Sequence, residues 1–170
     1  NKRIHPVEVP YNLHKLGKAK TIYITEGEKD ADTLINLGYA AATSLKGVKE
    51  LPEGVFNNKP VIFIGDTGEA GKKYAEDTYK LLHGIVNSFY YVELTGIEAL
   101  GDNKDVTDWL EAGNTKEDLQ IDMRNSWNWT QCRYWRDFIF KLENGNPDKP
   151  IIKPLKSWRN LEMLLNREKI

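Results

Sequence analysis

Residues Ile22 to Asp32 read Ile-Tyr-Ile-Thr-Glu-Gly-Glu-Lys-Asp-Ala-Asp. A short β-branched run stops at a lone acid and a glycine, and a helical pattern begins directly afterwards. A strand that breaks into a helix in this way leaves the Glu26 carboxylate at the strand's carboxyl end, where open α/β sheets gather ligands. Val61 to Lys73 repeats the design, with an apolar run, Asp66 at the turn and a helix beyond it.

The alternation continues on either side of these turns. Strands are expected at 21–25, 40–45, 60–64 and 88–94, with helices at 28–37 and 69–83. Ala31, Leu34 and Ile35 share one face of the first helix, and Gly38 closes it as a left-handed cap. Ala70, Tyr74, Ala75, Thr78, Leu81 and Leu82 line the second helix, which Gly84 ends. The run at 60–64 is apolar throughout, as in strands covered on both faces. Together these elements predict a four-stranded, mostly parallel α/β sheet with right-handed crossovers and flanking helices.

Beyond a Gly-containing loop, Asp105-Val-Thr-Asp-Trp-Leu-Glu-Ala-Gly113 reads as a short capped helix. Thr115 with Asp118 opens another. A Trp-rich helix is expected from about Trp127 to Leu142, and three prolines with an Asn-Gly pair mark 144–154 as a linker. Ser157 caps a last amphipathic helix bearing Leu161, Leu164 and Leu165. Residues 1–20, with Pro6 and Pro10 and no sustained period, form a leading arm.

A chain of 170 residues is long enough for one domain with an appendage. Its 40% hydrophobic and 29% charged content describes a globular, water-soluble chain. No apolar run approaches the ~18 residues of a membrane span, and no signal segment is visible. A start at Asn1 suggests a piece of a longer protein. Cys132, the single cysteine, excludes an internal disulfide and a cysteine-based zinc site, and three scattered histidines offer no zinc spacing. Cysteine usage leans to the cytoplasm.

Charge is unevenly spread. Residues 1–120 carry 14 Lys/Arg against 19 Asp/Glu, a net of −5, whereas 121–170 carry 10 against 6, a net of +4. The basic part also holds four of the five tryptophans. From Trp127 to Arg136, Trp, Tyr and Arg interleave as on single-strand-binding surfaces. Packing of a helix onto the domain accounts for the same aromatics.

Acids at neighbouring strand ends suit one chemistry in particular. Mg²⁺ takes oxygen ligands, keeps several waters and completes its shell with one or two carboxylates and substrate phosphates. Glu26 with Gly27, Asp66 with Gly68 and Gly71, and Asp105 with Asp108 offer carboxylates beside glycines that let phosphate oxygens approach. Two nucleotide motifs are excluded. Five residues separate Gly65 from Gly71, and Lys72 is followed by Lys73, so a Walker A loop fails on length and on its hydroxyl. No Gly-x-Gly-x-x-Gly follows the first strand.

Three segments, in order, resemble the Toprim domain, the metal-binding module of bacterial-type DNA primases, topoisomerases and some nucleases. They are Glu26-Gly-Glu-Lys-Asp30, Asp66-Thr-Gly-Glu-Ala-Gly71 and Lys104-Asp-Val-Thr-Asp-Trp-Leu110; the last is similar to primase Toprims of phage and mobile elements. The resemblance covers about Lys20 to Gly113. It implies a Toprim domain at 21–113 after the 1–20 arm, a helical extension at 114–143, and a linker and terminal helix at 144–170 leading toward a further domain.

For the site, the resemblance implies Glu26 as acid/base or metal-orienting group and Asp66 as principal ligand of Mg²⁺ or Mn²⁺, with Asp105 and Asp108 as further metal acids. Asp30 sits where primases carry another acid. Gly27, Lys29, Asp30, Lys46, Gly71 and Lys72 would border the nucleic acid or its phosphates. The implied activity is primer synthesis, a nucleotidyl transfer from nucleoside triphosphates on a single-stranded DNA template, with an associated or covalently linked helicase and no membrane. One departure stands out: Gly68 occupies the position of the second aspartate of Asp-x-Asp. A one-metal site on Glu26 and Asp66 is what these residues allow. A Toprim nuclease and a catalytically silent binding module are the rival readings. Bland roles also compete: Asp105 is a good helix N-cap, and Glu28, Asp30 and Asp32 suit a helix dipole.

Overall fold

A computed structural model describes residues 8–130. Strands β1 (Ile22–Thr25), β2 (Ala42–Ser44), β3 (Pro60–Ile64) and β4 (Ser88–Val92) pair in parallel, in the order β2-β1-β3-β4. A fifth strand, β5 (Trp127–Asn128), adds to β4 antiparallel, with Tyr91 opposite Trp127. The expected parallel α/β sheet is thus present with one strand more than the four predicted. Trp127 and Asn128 belong to this strand and not to the start of the predicted helix. The rest of that helix, the linker and the terminal helix lie outside the described residues.

Among the described residues, five helices accompany the sheet: α1 (Leu13–Leu16), α2 (Glu28–Asn36), α3 (Gly68–Leu82), α4 (Val106–Glu111) and α5 (Lys116–Arg124). A 3₁₀ turn spans Ile97–Leu100. α1 lies within the arm, which was expected to have no regular structure. At four residues it is too short to stand alone, and Lys59 holds it by donating to the carbonyls of Leu16 and Gly17 at 2.8 and 2.9 Å. A cation on the last carbonyls of a helix is where the dipole favours it.

Alternation along the strands divides the core in two. Ile22, Ile24, Val61, Phe63 and Phe89 face one side, against Leu16, Ala75 and Leu82 of α1 and α3. Ala42, Ile64 and Val92 face the other, against Ala31, Leu34, Val106, Trp109 and Leu119 of α2, α4 and α5. Burial of each large apolar side chain contributes about 1.5–3 kcal/mol. Aromatic packing adds to the first layer, where Phe63 stacks on Phe89 and Tyr91 at 5.8 and 6.0 Å and Trp129 stacks on Tyr91 at 5.0 Å. Trp129 is therefore a packing residue. Trp127 borders Glu93, to which its Nε1 donates at 3.2 Å.

Chain order and strand order diverge at one place. From β1 the chain crosses to β2 on one side, and β3 then pairs with β1 on the other. A crevice opens at such a switch point, beyond the carboxyl ends of the two strands. Glu26 follows β1 and Asp66 follows β3 by two residues. The topology therefore puts both acids at the edge that binds ligands in folds of this kind. Among the described residues no helix is long and apolar enough to cross a membrane.

Candidate functional site

Small hydroxyl side chains shape the turn that carries Glu26. Thr25 donates to the carbonyl of Gly27 at 2.8 Å, and Ser44, at the end of β2, donates to the carbonyl of Glu26 at 2.6 Å. Ser44 Oγ also accepts from the Lys46 backbone N–H at 3.2 Å. The Lys46 ammonium lies 3.8 Å from Glu26 Oε1. Tyr74 of α3 braces the same loop by accepting from the Leu45 N–H at 3.2 Å.

Asp66 is set by close backbone packing. Gly71 lies directly on the carbonyl of Asp66, so a Cβ at 71 would overlap it. This contact seats the first turn of α3 on the Asp66 turn. The Asp66 carboxyl is pushed up to about 7, first by burial and then by the charges of Glu26, Asp30 and Asp105, with Lys46 acting the other way. Carboxylates that raise one another's proton affinity share a site. Acids from three segments of sequence therefore lie near enough at one edge of the sheet for Asp66 to feel the charges of Glu26, Asp30 and Asp105.

Asp30 adjoins this group. It is only 5% exposed, and Thr107 donates to its Oδ1 at 2.7 Å. A Cβ on Gly27 would stand 3.0 Å from its other oxygen, so glycine there leaves the carboxylate its space. Burial raises the proton affinity of Asp30, the Thr107 hydroxyl opposes that, and Asp105 adds to it.

Asp105 has two duties. Its Oδ1 accepts from the Asp108 N–H at 2.7 Å and caps α4, while its Oδ2 lies 3.4 Å from Lys29 Nζ. Asp108 completes the capping box, accepting from the Asp105 N–H at 3.2 Å and pairing with Lys104 at 3.4 Å. The Asp105 N–H is the main reason its carboxyl is held low. Both oxygens of Asp108 are thus engaged in the cap and its ion pair. Lys72 pairs with Glu69 at 3.6 Å on the first turns of α3.

Beside Asp66 the sheet edge opens into a cleft of about 900 Å³, reaching from the end of β3 past β4 to Trp127. Asp66, Gly68, Lys72, Tyr91, Glu93 and Asp102 are among its walls. Tyr91 is pushed up to about 12 by burial and by Glu93, Asp66 and Glu98, so its hydroxyl keeps its proton.

The donors suit a divalent cation on chemical grounds. They are hard oxygens, and Asp66 carries a charge that its neighbours disfavour, which a cation would relieve. Among the described residues no three His, Cys, Asp or Glu side chains converge tightly enough to enclose an ion. Mg²⁺ asks for less, because waters and phosphates complete its shell. Of the residues expected from the sequence, Lys46 lies beside Glu26 and Lys29 beside Asp105, and Asp30 and Asp66 are charged neighbours of these acids. The residues that brace their turns, Thr25, Ser44, Tyr74 and Thr107, were not among those expected. A Ser or Thr beside each acidic turn was the available signal.

A mostly parallel sheet flanked by helices, with acids gathered at its switch point, defines an α/β class whose fold is that of the Toprim-like module in DNA primase cores. No protein-family model matches the sequence, and no curated protein matches it either. Solved structures do. The primase of Aquifex aeolicus (its zinc-binding and RNA polymerase domains) aligns with a TM-score of 0.59 and 18% identity over 85% of this chain and 35% of that one. The E. coli primase catalytic core aligns with a TM-score of 0.54 and 16% identity over 98% and 52%. A DnaG primase catalytic domain solved bound to single-stranded DNA gives 0.54 and 17% over 87% and 49%. The chain spans between about a third and a half of these structures, and at such identities the likeness is one of fold.

Proposed function

We propose that this domain carries out primase-like nucleotidyl transfer with Mg²⁺ or Mn²⁺, joining a primer 3′-hydroxyl to a nucleoside triphosphate on single-stranded DNA. The observation that carries the reading is that Asp66, at the switch point of a fold like that of primase cores, feels the charges of Glu26, Asp30 and Asp105. In this reading Glu26 and Asp66 hold the ion, with Asp105 beside them and Asp30 behind. The bound ion would neutralise phosphate charge and lower the pKa of the attacking hydroxyl. Glu26 would serve as acid/base or metal-orienting group, and Ser44 fixes its backbone. Lys46 and Lys29, which neutralise Glu26 and Asp105 at 3.8 and 3.4 Å, are long and exposed enough to turn toward phosphate oxygens. Gly27 leaves the Asp30 carboxylate its space, and Gly71 lets α3 close on the Asp66 turn. An associated helicase extends the proposal on the sequence resemblance alone.

A silent binding module is favoured by one observation, the glycine at position 68. Primer synthesis from labelled nucleoside triphosphates on single-stranded DNA, with Mg²⁺ or Mn²⁺, separates the readings. The expected result is product from the native chain and a loss of about 10²-fold or more in Glu26→Gln and Asp66→Asn, the scale of a lost acid/base group. Cleavage of labelled DNA in place of synthesis would establish the nuclease reading. Template binding with neither reaction would establish the silent module.

A further inference from the structure

β2 is the outermost strand on its side of the sheet, yet all three of its residues are buried. The leading arm covers it. Successive carbonyls along a strand point to opposite edges, and that of Ala41 is taken by the Tyr23 N–H of β1 at 3.1 Å. The carbonyls of Ala40, Ala42 and Ser44 therefore face outward, where an open edge would leave them unpaired. Two consecutive arm residues take all three. Asn12 Nδ2 donates to the carbonyls of Ala40 and Ala42 at 3.0 and 3.2 Å, and the Tyr11 N–H donates to that of Ser44 at 3.0 Å. Thr43 Oγ1 donates back to the Tyr11 carbonyl at 2.6 Å. The arm also wraps the edge, with Tyr11 packed against one core layer and Leu13 against the other.

The same arm reaches the candidate site from outside the sheet. Ser44, held by its carbonyl, uses its hydroxyl to hold the Glu26 carbonyl at 2.6 Å and to accept the Lys46 N–H at 3.2 Å. Three residues beyond Ser44, the Glu8 carboxylate lies directly on Gly47, so a Cβ at 47 would overlap it. Lys46, whose ammonium lies 3.8 Å from Glu26, is thus bracketed by two arm contacts, Tyr11 on Ser44 and Glu8 on Gly47.

We propose that residues 8–12 are a strap that sets the Lys46–Glu26 turn, so that releasing the arm loosens this turn while the rest of the sheet stays folded. The seating of the arm on the edge of β2 is passed through Ser44 to both residues of the pair. This role holds for the turn whatever the edge binds.

Amide hydrogen exchange in the full chain, resolved residue by residue, tests it, because local opening is read separately from global unfolding. The reporters are the N–H groups of Leu45, Lys46 and Val48, which are bonded to the Tyr74 hydroxyl, Ser44 Oγ and the Leu45 carbonyl. Asn12→Gly removes the side-chain amide and keeps the φ of +55°, which glycine adopts freely. It should speed exchange at the reporters about tenfold, the scale of one or two lost hydrogen bonds, and leave Phe63 and Ile64 of β3 at their native rates. Tyr11→Phe loses only the hydroxyl bond to Asp32 at 2.7 Å and should match the native chain at the reporters. Glu8 is exposed, so Glu8→Ala tests the other end of the strap without touching the core, and faster exchange at Val48 is expected. Native rates at the reporters in Asn12→Gly, or in Glu8→Ala should Asn12→Gly fail to fold, would make the arm a passive cover and overturn the strap. Acceleration that extends equally to β3 would overturn it as well, because the turn would then have no response of its own. Equal acceleration in Tyr11→Phe would assign the effect to docking on α2 and overturn it too.

Discussion

Gly68 shows how a residue can be read two ways until its backbone angle is known. In sequence it is a missing carboxylate. In the structure it is a residue at φ +90°, where L side chains cost about 1–3 kcal/mol of strain. Gly68→Ala and Gly68→Asp should therefore both lower stability in urea unfolding by that amount, and by similar amounts. A Gly68→Asp variant as stable as the native chain would mean that the position accepts an acid and that the glycine has another cause. Asp30 teaches the complementary lesson. It reads as an ordinary first-turn acid of α2, yet it is buried among carboxylates because Thr107, 77 residues later, reaches it. No local pattern encodes that contact. Asp108 is distinguished from Asp105 by the same kind of detail, with both of its oxygens committed to the cap and Lys104. Asp108→Asn should leave Mn²⁺ affinity where it was, and a clear fall in titration would restore Asp108 to the ligand set.

Elements with strong local signals were legible in the sequence. The apolar run of β3, the glycines that stop α2 and α3, and the acid-hydroxyl spacing ahead of α5 each have a mechanism that works without tertiary help. Thr115 accepts from the Asp118 N–H at 3.2 Å, and Asp118 accepts from the Thr115 N–H at 2.9 Å, so the capping box read from Thr115 and Asp118 is present. Thr115→Ala should cost about 1 kcal/mol in chemical unfolding; no change would mean that packing of Leu119 alone holds the helix. Elements that depend on distant partners were not legible. β5 is two residues long and exists through its pairing with β4, and α1 exists through Lys59. The switch from a predicted helix to a strand at Trp127 follows from the free edge of β4, which offers backbone partners to whatever passes it.

At the scale of the molecule, the sheet order turns two separate strand ends into one crowded acidic edge, and crowding has a thermodynamic signature. The unfolded Asp66 carboxyl titrates near 3.8 and the folded one near 7. Between those values the folded chain holds the extra proton, so the Asp66 contribution to stability falls as pH rises from about 4 to 7 and stays low above that. A cation bound at the edge favours the carboxylate and should restore what ionisation removes. The measurement that bears most directly on the metal site is the melting temperature of the native chain and of Asp66→Asn across pH 4 to 8, with and without Mn²⁺. The native chain should lose stability relative to Asp66→Asn as pH rises toward 7. Mn²⁺ at pH 8 should raise the native melting temperature and leave that of Asp66→Asn unmoved. Parallel pH profiles for the two proteins, with no Mn²⁺ effect on either, would contradict the metal site.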